Sequence, residues 1–286
     1  MLDLITVVFR DELPLLKIQA ESIHKYVSTQ NINSITVVVN DTDDVADLID
    51  VSWWQQHQDR VQVKCYSKWN YACRITGWEN QQICKLLAAA ESTAEWSMVL
   101  DAKTWFVRPL DLTRLFSNSK ANTGFIPVME VFDSSRQFVE NLYSIKLDLV
   151  LGPGGVPFMF HTDTVQELVN SIDNFIEFFQ TNVKYPNLVT EFHLYSGYVL
   201  NKFGSYEALY NKTQYYQVVN IADYEAPEFD VLFKTMSSAN ILTVSIHRRT
   251  YKDLSESQIT QWINFLKDKS VIHNELETRR QINTYT

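Results

Sequence analysis

Asp101 closes the apolar run Trp96 to Leu100, and Lys103 follows two positions later. A carboxylate at the carboxyl end of a buried strand stands where open α/β sheets keep their ligand crevice, so Asp101 is a candidate for chemistry, with a turn or cap as its plain structural alternative. Lys103 is a cation that repels a metal ion and attracts a diphosphate. Upstream, Gln81, Gln82 and Lys85 are neighbours on one face of a helical stretch from Trp78 to Glu91, while Ile83, Leu86, Leu87 and Ala90 form the apolar stripe. That polar face is placed to look into a cleft. Gly152-Pro153-Gly154-Gly155 holds three of the seven glycines in the chain, which marks backbone of unusual dihedrals or close approach. Glu191 on an amphipathic helix and His247 after a strand are, taken singly, as simply read as a solvated carboxylate and a structural histidine.

The elements that must position these residues follow from periodicity. Leu4 to Phe9 reads as a buried strand. Asp11 and Glu12 favour a helix start, Pro14 is tolerated in the first turn, and Leu13, Leu16, Ala20, Ile23 and Val27 continue at helical spacing. Ile35 to Val39 is a second strand, a helix is predicted from Asp43 to Gln56, and Val61 to Cys65 is a third strand. After the strand ending at Asp101 comes a short apolar run, Trp105 to Val107. The second half is less regular, with strands near Thr123 to Val128 and Val156 to Phe160, so a mixed sheet is expected. Thr164 and Glu167 resemble a capping box opening a helix with Val165, Leu168, Val169, Ile172 and Ile176 on its buried side. A helix over Leu188 to Lys202, a strand over Ile241 to Ile246, the cluster His247-Arg248-Arg249, a helix around Ser257 to Lys267 and a polar tail complete the chain.

The chain has 286 residues, 45% of them hydrophobic and 13% aromatic, which is enough apolar surface for one large α/β core with appended segments. A formal charge of -9 and a pI near 5.2 argue against nucleic acid as a partner, so any phosphate site must be local. No run of 18 apolar residues is present and the amino terminus opens directly into a strand, so no membrane span and a cytoplasmic location are expected. Cys65, Cys73 and Cys84 show no Cys-x-x-Cys spacing and read as reduced structural thiols.

The order of the set carries more information than its members. Gly77-Trp78-Glu79-Asn80-Gln81-Gln82-Ile83-Cys84-Lys85-Leu86, then Leu100-Asp101-Ala102-Lys103, then Thr190-Glu191-Phe192-His193-Leu194-Tyr195 resemble a poorly characterised glycosyltransferase-like family of bacteria and their phages. Over residues 1 to 250 the chain resembles the GT-A glycosyltransferases. The resemblance implies a Rossmann-like α/β fold with a central mixed, mostly parallel sheet flanked by helices. A catalytic domain over 1 to 250 would be followed by a C-terminal helix and tail over 251 to 286, packed on or extending from it. It also implies transfer of a sugar from a nucleotide donor, UDP- or GDP-linked, to an acceptor. By position, Asp101 and His247 would hold Mn²⁺ or Mg²⁺ on the donor diphosphate, Gly154 and Gly155 would line the acceptor side, and Glu191 would be the catalytic base. Phe9 and Arg10 fall where such proteins hold nucleobase and ribose, with strand-end packing as the alternative. Trp69, Tyr71, Trp78, Tyr195 and Tyr198 are candidates to stack on a ring or to fill the core.

The usual Asp-x-Asp motif has its second aspartate replaced by Lys103. Either Asp101 and His247 bind the metal with phosphate and water filling its shell, or Lys103, with Lys85, Arg248 or Arg10, replaces it opposite the leaving group. Gln82 belongs to the same donor-binding set. Two rival readings stand beside this one. A sugar-phosphate nucleotidyltransferase would carry a glycine- and basic-rich loop after its first strand, where this chain has Phe9-Arg10-Asp11-Glu12-Leu13-Pro14. A non-catalytic carbohydrate- or nucleotide-binding scaffold would keep the fold and lose the metal motif.

Overall fold

A computed structural model describes residues 1–69, 77–152, 156–184, 186–213, 217–221, 226–236, 241–272 and 274–285. In chain order the elements are β1 (Leu2–Val8), α1 (Leu13–Tyr26), β2 (Ile32–Val39), β3 (Val61–Cys65), α2 (Gly77–Ala90), β4 (Trp96–Asp101), β5 (Thr104–Phe106), α3 (Leu112–Leu115), β6 (Phe116–Ser117), β7 (Lys120–Thr123) and β8 (Phe125–Pro127). Then follow α4 (Asp133–Tyr143), β9 (Leu149–Leu151), β10 (Phe158–His161), α5 (Thr162–Ser171), α6 (Phe175–Asn182), α7 (Glu191–Phe203), β11 (Tyr210–Lys212), β12 (Gln217–Ile221), α8 (Ala226–Met236), β13 (Ile241–Ile246), α9 (Glu256–Asp268) and α10 (Glu275–Ile282).

The central sheet has the order β10-β4-β1-β2-β3. β1 is parallel to both β2 and β4, β2 is parallel to β3, and β10 runs antiparallel to β4. This is the mixed, mostly parallel sheet expected from the sequence. Helices cover both faces, so β1 is buried at all seven positions and is mostly apolar without strict alternation, its two polar residues, Asp3 and Thr6, being buried and hydrogen-bonded. The order reverses between β1 and β4. Their carboxyl ends, Val8 and Asp101, flank the crevice that such a reversal opens.

A second sheet, β12-β13-β5, leans on the first through α1. Leu16, Ala20 and Ile23 of α1 pack in the core of the central sheet, whereas Leu15 and Ile18 pack in a second core with Trp105, Tyr251 and Trp262. The helix is therefore apolar on two sides, and only one of them is legible as a stripe. Trp105 joins the layers, its indole N–H donating to the Leu15 carbonyl at 3.1 Å and its ring lying 5.5 Å from that of Trp262 in α9. The C-terminal segment packs on this core, and Tyr285 stacks on Tyr251. Each such buried aromatic or aliphatic side chain contributes about 1.5–3 kcal/mol of hydrophobic stabilisation.

Several local expectations are corrected. The helix predicted from Asp43 to Gln56 is instead two 3-10 stretches, Asp43–Leu48 and Val51–Arg60, with Gln55 at a φ of 46°. The capping box at Thr164 and Glu167 does not form. α5 already starts at Thr162, and Glu167 pairs with Lys202 of α7. The helix predicted from Leu188 starts at Glu191, because Leu188 takes a left-handed φ of 49° and Thr190 caps it. A real capping box stands at Ser255 and Gln258, opening α9, and the polar tail holds α10.

Candidate active site

The crevice is built from residues that the fold aims at one point. Gln19 of α1, fully buried, donates to the carbonyls of Asp101 and Thr104 at 2.7 and 2.9 Å and accepts the Thr6 hydroxyl at 2.8 Å, so it clamps the turn between β4 and β5. The Asp101 carboxylate is thereby held at the crevice floor. Its Oδ1 takes Lys85 at 2.9 Å and the Gln81 amide at 3.0 Å, and its Oδ2 takes Lys103 at 2.8 Å. Lys85 bridges onward to Glu191 at 3.1 Å and lies 5.3 Å above the Phe192 ring. The amide oxygen of Gln82 accepts the Glu191 backbone N–H at 3.2 Å, which ties the start of α7 to α2. The predicted polar face of α2 does look into the cleft, and Asp101, Lys85, Lys103, Gln82 and Glu191 are brought together.

Electrostatics follow from this burial. Burial works to raise the Asp101 carboxyl, but Lys103 and Lys85 outweigh it and hold the group well below the usual carboxylate range. Burial likewise works against the Lys85 ammonium, yet Asp101 and Glu191 hold it protonated well above its ordinary value. Glu191, 3% exposed, is pushed up by burial, with Lys85 opposing.

Cavity walls beside this network are formed by Trp78, Phe132, Val150, Val156 and His193, enclosing about 170 Å³. Trp78 is half exposed at the mouth. Tyr195 is fully buried and belongs to the core, its hydroxyl meeting that of Tyr210 at 2.7 Å, and the Trp69 indole donates to Glu91. Of the five aromatic candidates, Trp78 is the one on the cavity wall among the described residues. Tyr71, Gly154 and Gly155 lie outside the described residues.

The first-strand end and the late basic cluster also meet. The Arg248 guanidinium lies 4.7 Å over the Phe9 ring and bonds Asp11 at 2.7 Å. Arg10 is exposed and pairs with Asp44. β13 runs antiparallel to β5 with Ser245 opposite Thr104, so His247 leaves the sheet at the end where Lys103 and Asp101 enter it. His247 Nδ1 accepts the Arg249 N–H at 3.2 Å.

Glu12 is the site residue that the sequence conceals. It looks like a first-turn acid of α1, but it is 4% exposed and its carboxylate makes no hydrogen bond among the described residues. Burial pushes it up to about 7, with Lys103 and Arg248 pulling down and Asp101 pushing up. His193 is a second residue given no role by sequence. Neither could be found from a pattern, since their partners lie on other elements.

The donor set does not fit a divalent cation. Both Asp101 oxygens already carry ammonium groups, and an ion on them would stand about 4 Å from each, a repulsion of about 8 kcal/mol apiece in partly buried surroundings. With Nδ1 accepting from Arg249, the neutral His247 ring carries its proton on Nε2 and offers no lone pair there. Among the described residues no group of three or more His, Cys, Asp or Glu is placed to hold a metal. No described helix is long and apolar enough to cross a membrane.

Glycosyltransferases are among the solved structures that this fold matches. The galactosyltransferase LgtC, determined with donor and acceptor sugar analogues, superposes with a TM-score of 0.53 at 9% identity, covering 98% of this chain and 99% of that one. The bifunctional glycosyltransferase WbbM gives 0.53 at 11% identity over 98% of this chain and 51% of that one. GlyE of Streptococcus pneumoniae TIGR4 gives 0.50 at 11% identity over 99% and 63%. Identities this low show the fold alone. No curated protein matches the sequence. Residues 4–237 match DUF6492, described as a family of unknown function, and the chain belongs to that family.

Proposed function

We propose that the protein transfers a sugar from a nucleoside-diphosphate donor, UDP- or GDP-linked, to a hydroxyl acceptor. The observation that carries this reading is the chain of contacts Glu191–Lys85–Asp101–Lys103 at the carboxyl ends of the reversing strands, beside a cavity with apolar and aromatic walls. Breaking the bond between the anomeric carbon and the diphosphate leaves negative charge on the departing oxygens, and a cation must meet it. Lys103 is the more exposed of the two ammoniums at 19% against 7% for Lys85, so it reaches the diphosphate while Lys85 stays as the buried strut. Arg248, across Phe9, supplies the next positive charge.

In this scheme Asp101 keeps Lys85 protonated, aims both ammonium groups and touches no metal. Glu191 takes the proton of the acceptor hydroxyl. Burial raises its proton affinity toward the range a general base needs, and its place in the first turn of α7 keeps the carboxylate accessible as an anion. The direct test is incubation with UDP- and GDP-hexoses in the presence of a chelator, measuring released UDP or GDP. Turnover of one donor is expected, with Glu191→Gln slower by roughly 10²-fold or more at unchanged nucleotide affinity. Donor turnover that is equal in wild type and Glu191→Gln assigns the base elsewhere, and no turnover of any donor removes the enzymatic reading.

A further inference from the structure

His193 stands two residues after Glu191 on the first turn of α7, 5% exposed, with its ring on the cavity wall. Its backbone N–H is taken by the Thr190 hydroxyl at 3.2 Å, and the Phe132 ring meets its imidazole edge-on at 5.3 Å. Nδ1 lies 2.9 Å from the hydroxyl of Ser135, a fully buried residue of α4. That hydroxyl oxygen also accepts the Thr190 N–H at 3.3 Å. Were Ser135 to accept from Nδ1 as well, its own proton would have no acceptor among the described residues. The economical arrangement has Ser135 donating to Nδ1, which leaves the imidazole proton on Nε2. Nε2 makes no hydrogen bond among the described residues. On the cavity wall that N–H is placed to meet a ligand oxygen.

We propose that His193 donates its Nε2–H to an oxygen of the transferred sugar ring, and that Ser135 is the positioning residue that fixes this tautomer. The inference rests on the sugar-transfer reading above. About 170 Å³ is below the roughly 300–1,000 Å³ of pockets that take a whole drug-sized ligand, so the cavity has room for one ring. A ring tied to a diphosphate held at Lys103 is the donor's own. Trp78 and Phe132 give the apolar walls that suit a pyranose face, and Glu191 and His193 give an acceptor and a donor on one helix turn. Burial pushes the imidazole down to about 4, so it stays a neutral donor throughout the neutral range.

The test has two arms on the full chain. ¹⁵N-histidine NMR is expected to show His193 as the Nε2–H tautomer from pH 5.5 to 8, and Ser135→Ala to mix the tautomers. An Nδ1–H tautomer, or an imidazolium forming in that range, overturns the assignment. Calorimetry with UDP-glucose, UDP-galactose and GDP-mannose, against UDP and GDP alone, reads the ligand. His193→Ala is expected to weaken the best nucleotide sugar about tenfold while its nucleoside diphosphate changes less than about twofold. His193→Gln, whose amide also donates, is expected to retain most of the affinity and controls for folding. Wild type and His193→Ala binding the sugar nucleotide equally, or losing sugar nucleotide and diphosphate in parallel, overturns the role of His193 alone. Wild type binding none of the five probes overturns the sugar-transfer reading with it.

Discussion

Replacing Glu12 with glutamine should change how stability depends on pH between about 4.5 and 7. Glu12 is buried with no hydrogen bond among the described residues, and burial raises its carboxyl from 4.5 to about 7. A raised carboxyl binds its proton more tightly in the folded chain than in the unfolded one. The stabilisation is fully present below pH 4.5 and is lost as pH rises through about 7. At about 1.4 kcal/mol per decade of proton affinity, the loss amounts to about 3 kcal/mol across that window. Glutamine has no proton to lose, so Glu12→Gln should gain about 3 kcal/mol relative to wild type between pH 5 and pH 8, a thermal shift on the order of 5 °C. Urea unfolding of both proteins at four pH values measures this difference directly. Histidines buried as the neutral form, His57 and His193, act in the opposite direction at lower pH and cancel in the comparison. Parallel pH profiles for the two proteins would refute the burial of Glu12 within the field of Asp101.

Two other perturbations read the scaffold and the charge network. At Gly197 on α7 an added Cβ would lie 2.2 Å from Val139 Cγ1 and 3.2 Å from the Tyr143 ring, so Gly197→Ala should cost about 1–3 kcal/mol in urea unfolding, and adding Val139→Ala should recover part of it. Lys85→Met strips the shared ammonium from two buried carboxylates and should cost about 3–5 kcal/mol at pH 7, less at pH 4.5 where Glu191, whose carboxyl is raised by burial, takes up a proton; an equal loss at both pH values would count against the bridge.

The sequence displayed the architecture where apolar residues dominate a strand, as in β1 and β13, and where a single stripe repeats, as in α2. It failed where two tertiary faces compete. Leu15 and Ile18 lie off the legible stripe of α1 because a second sheet covers them. The same limit applies at the site. Asp101 and Lys103 were visible from position along a strand, and Lys85 from a polar helix face. Glu12 and His193 were not, because an acid in a first helical turn and a histidine on an amphipathic helix owe their character to burial among elements distant in the chain. The substitution at the second position of the expected acidic motif proved the most informative residue, since the Lys103 ammonium sits on the very carboxylate a metal would need.

The central claim is that this chain's own cations take the donor diphosphate. Isothermal titration of UDP and of GDP into wild type and Lys103→Met, in excess chelator and again with Mn²⁺, tests it most directly. One of the two nucleotides should bind wild type with chelator present, and Lys103→Met should weaken it tenfold or more. Binding that requires Mn²⁺ and is indifferent to Lys103, or no binding of either nucleotide, would contradict the account.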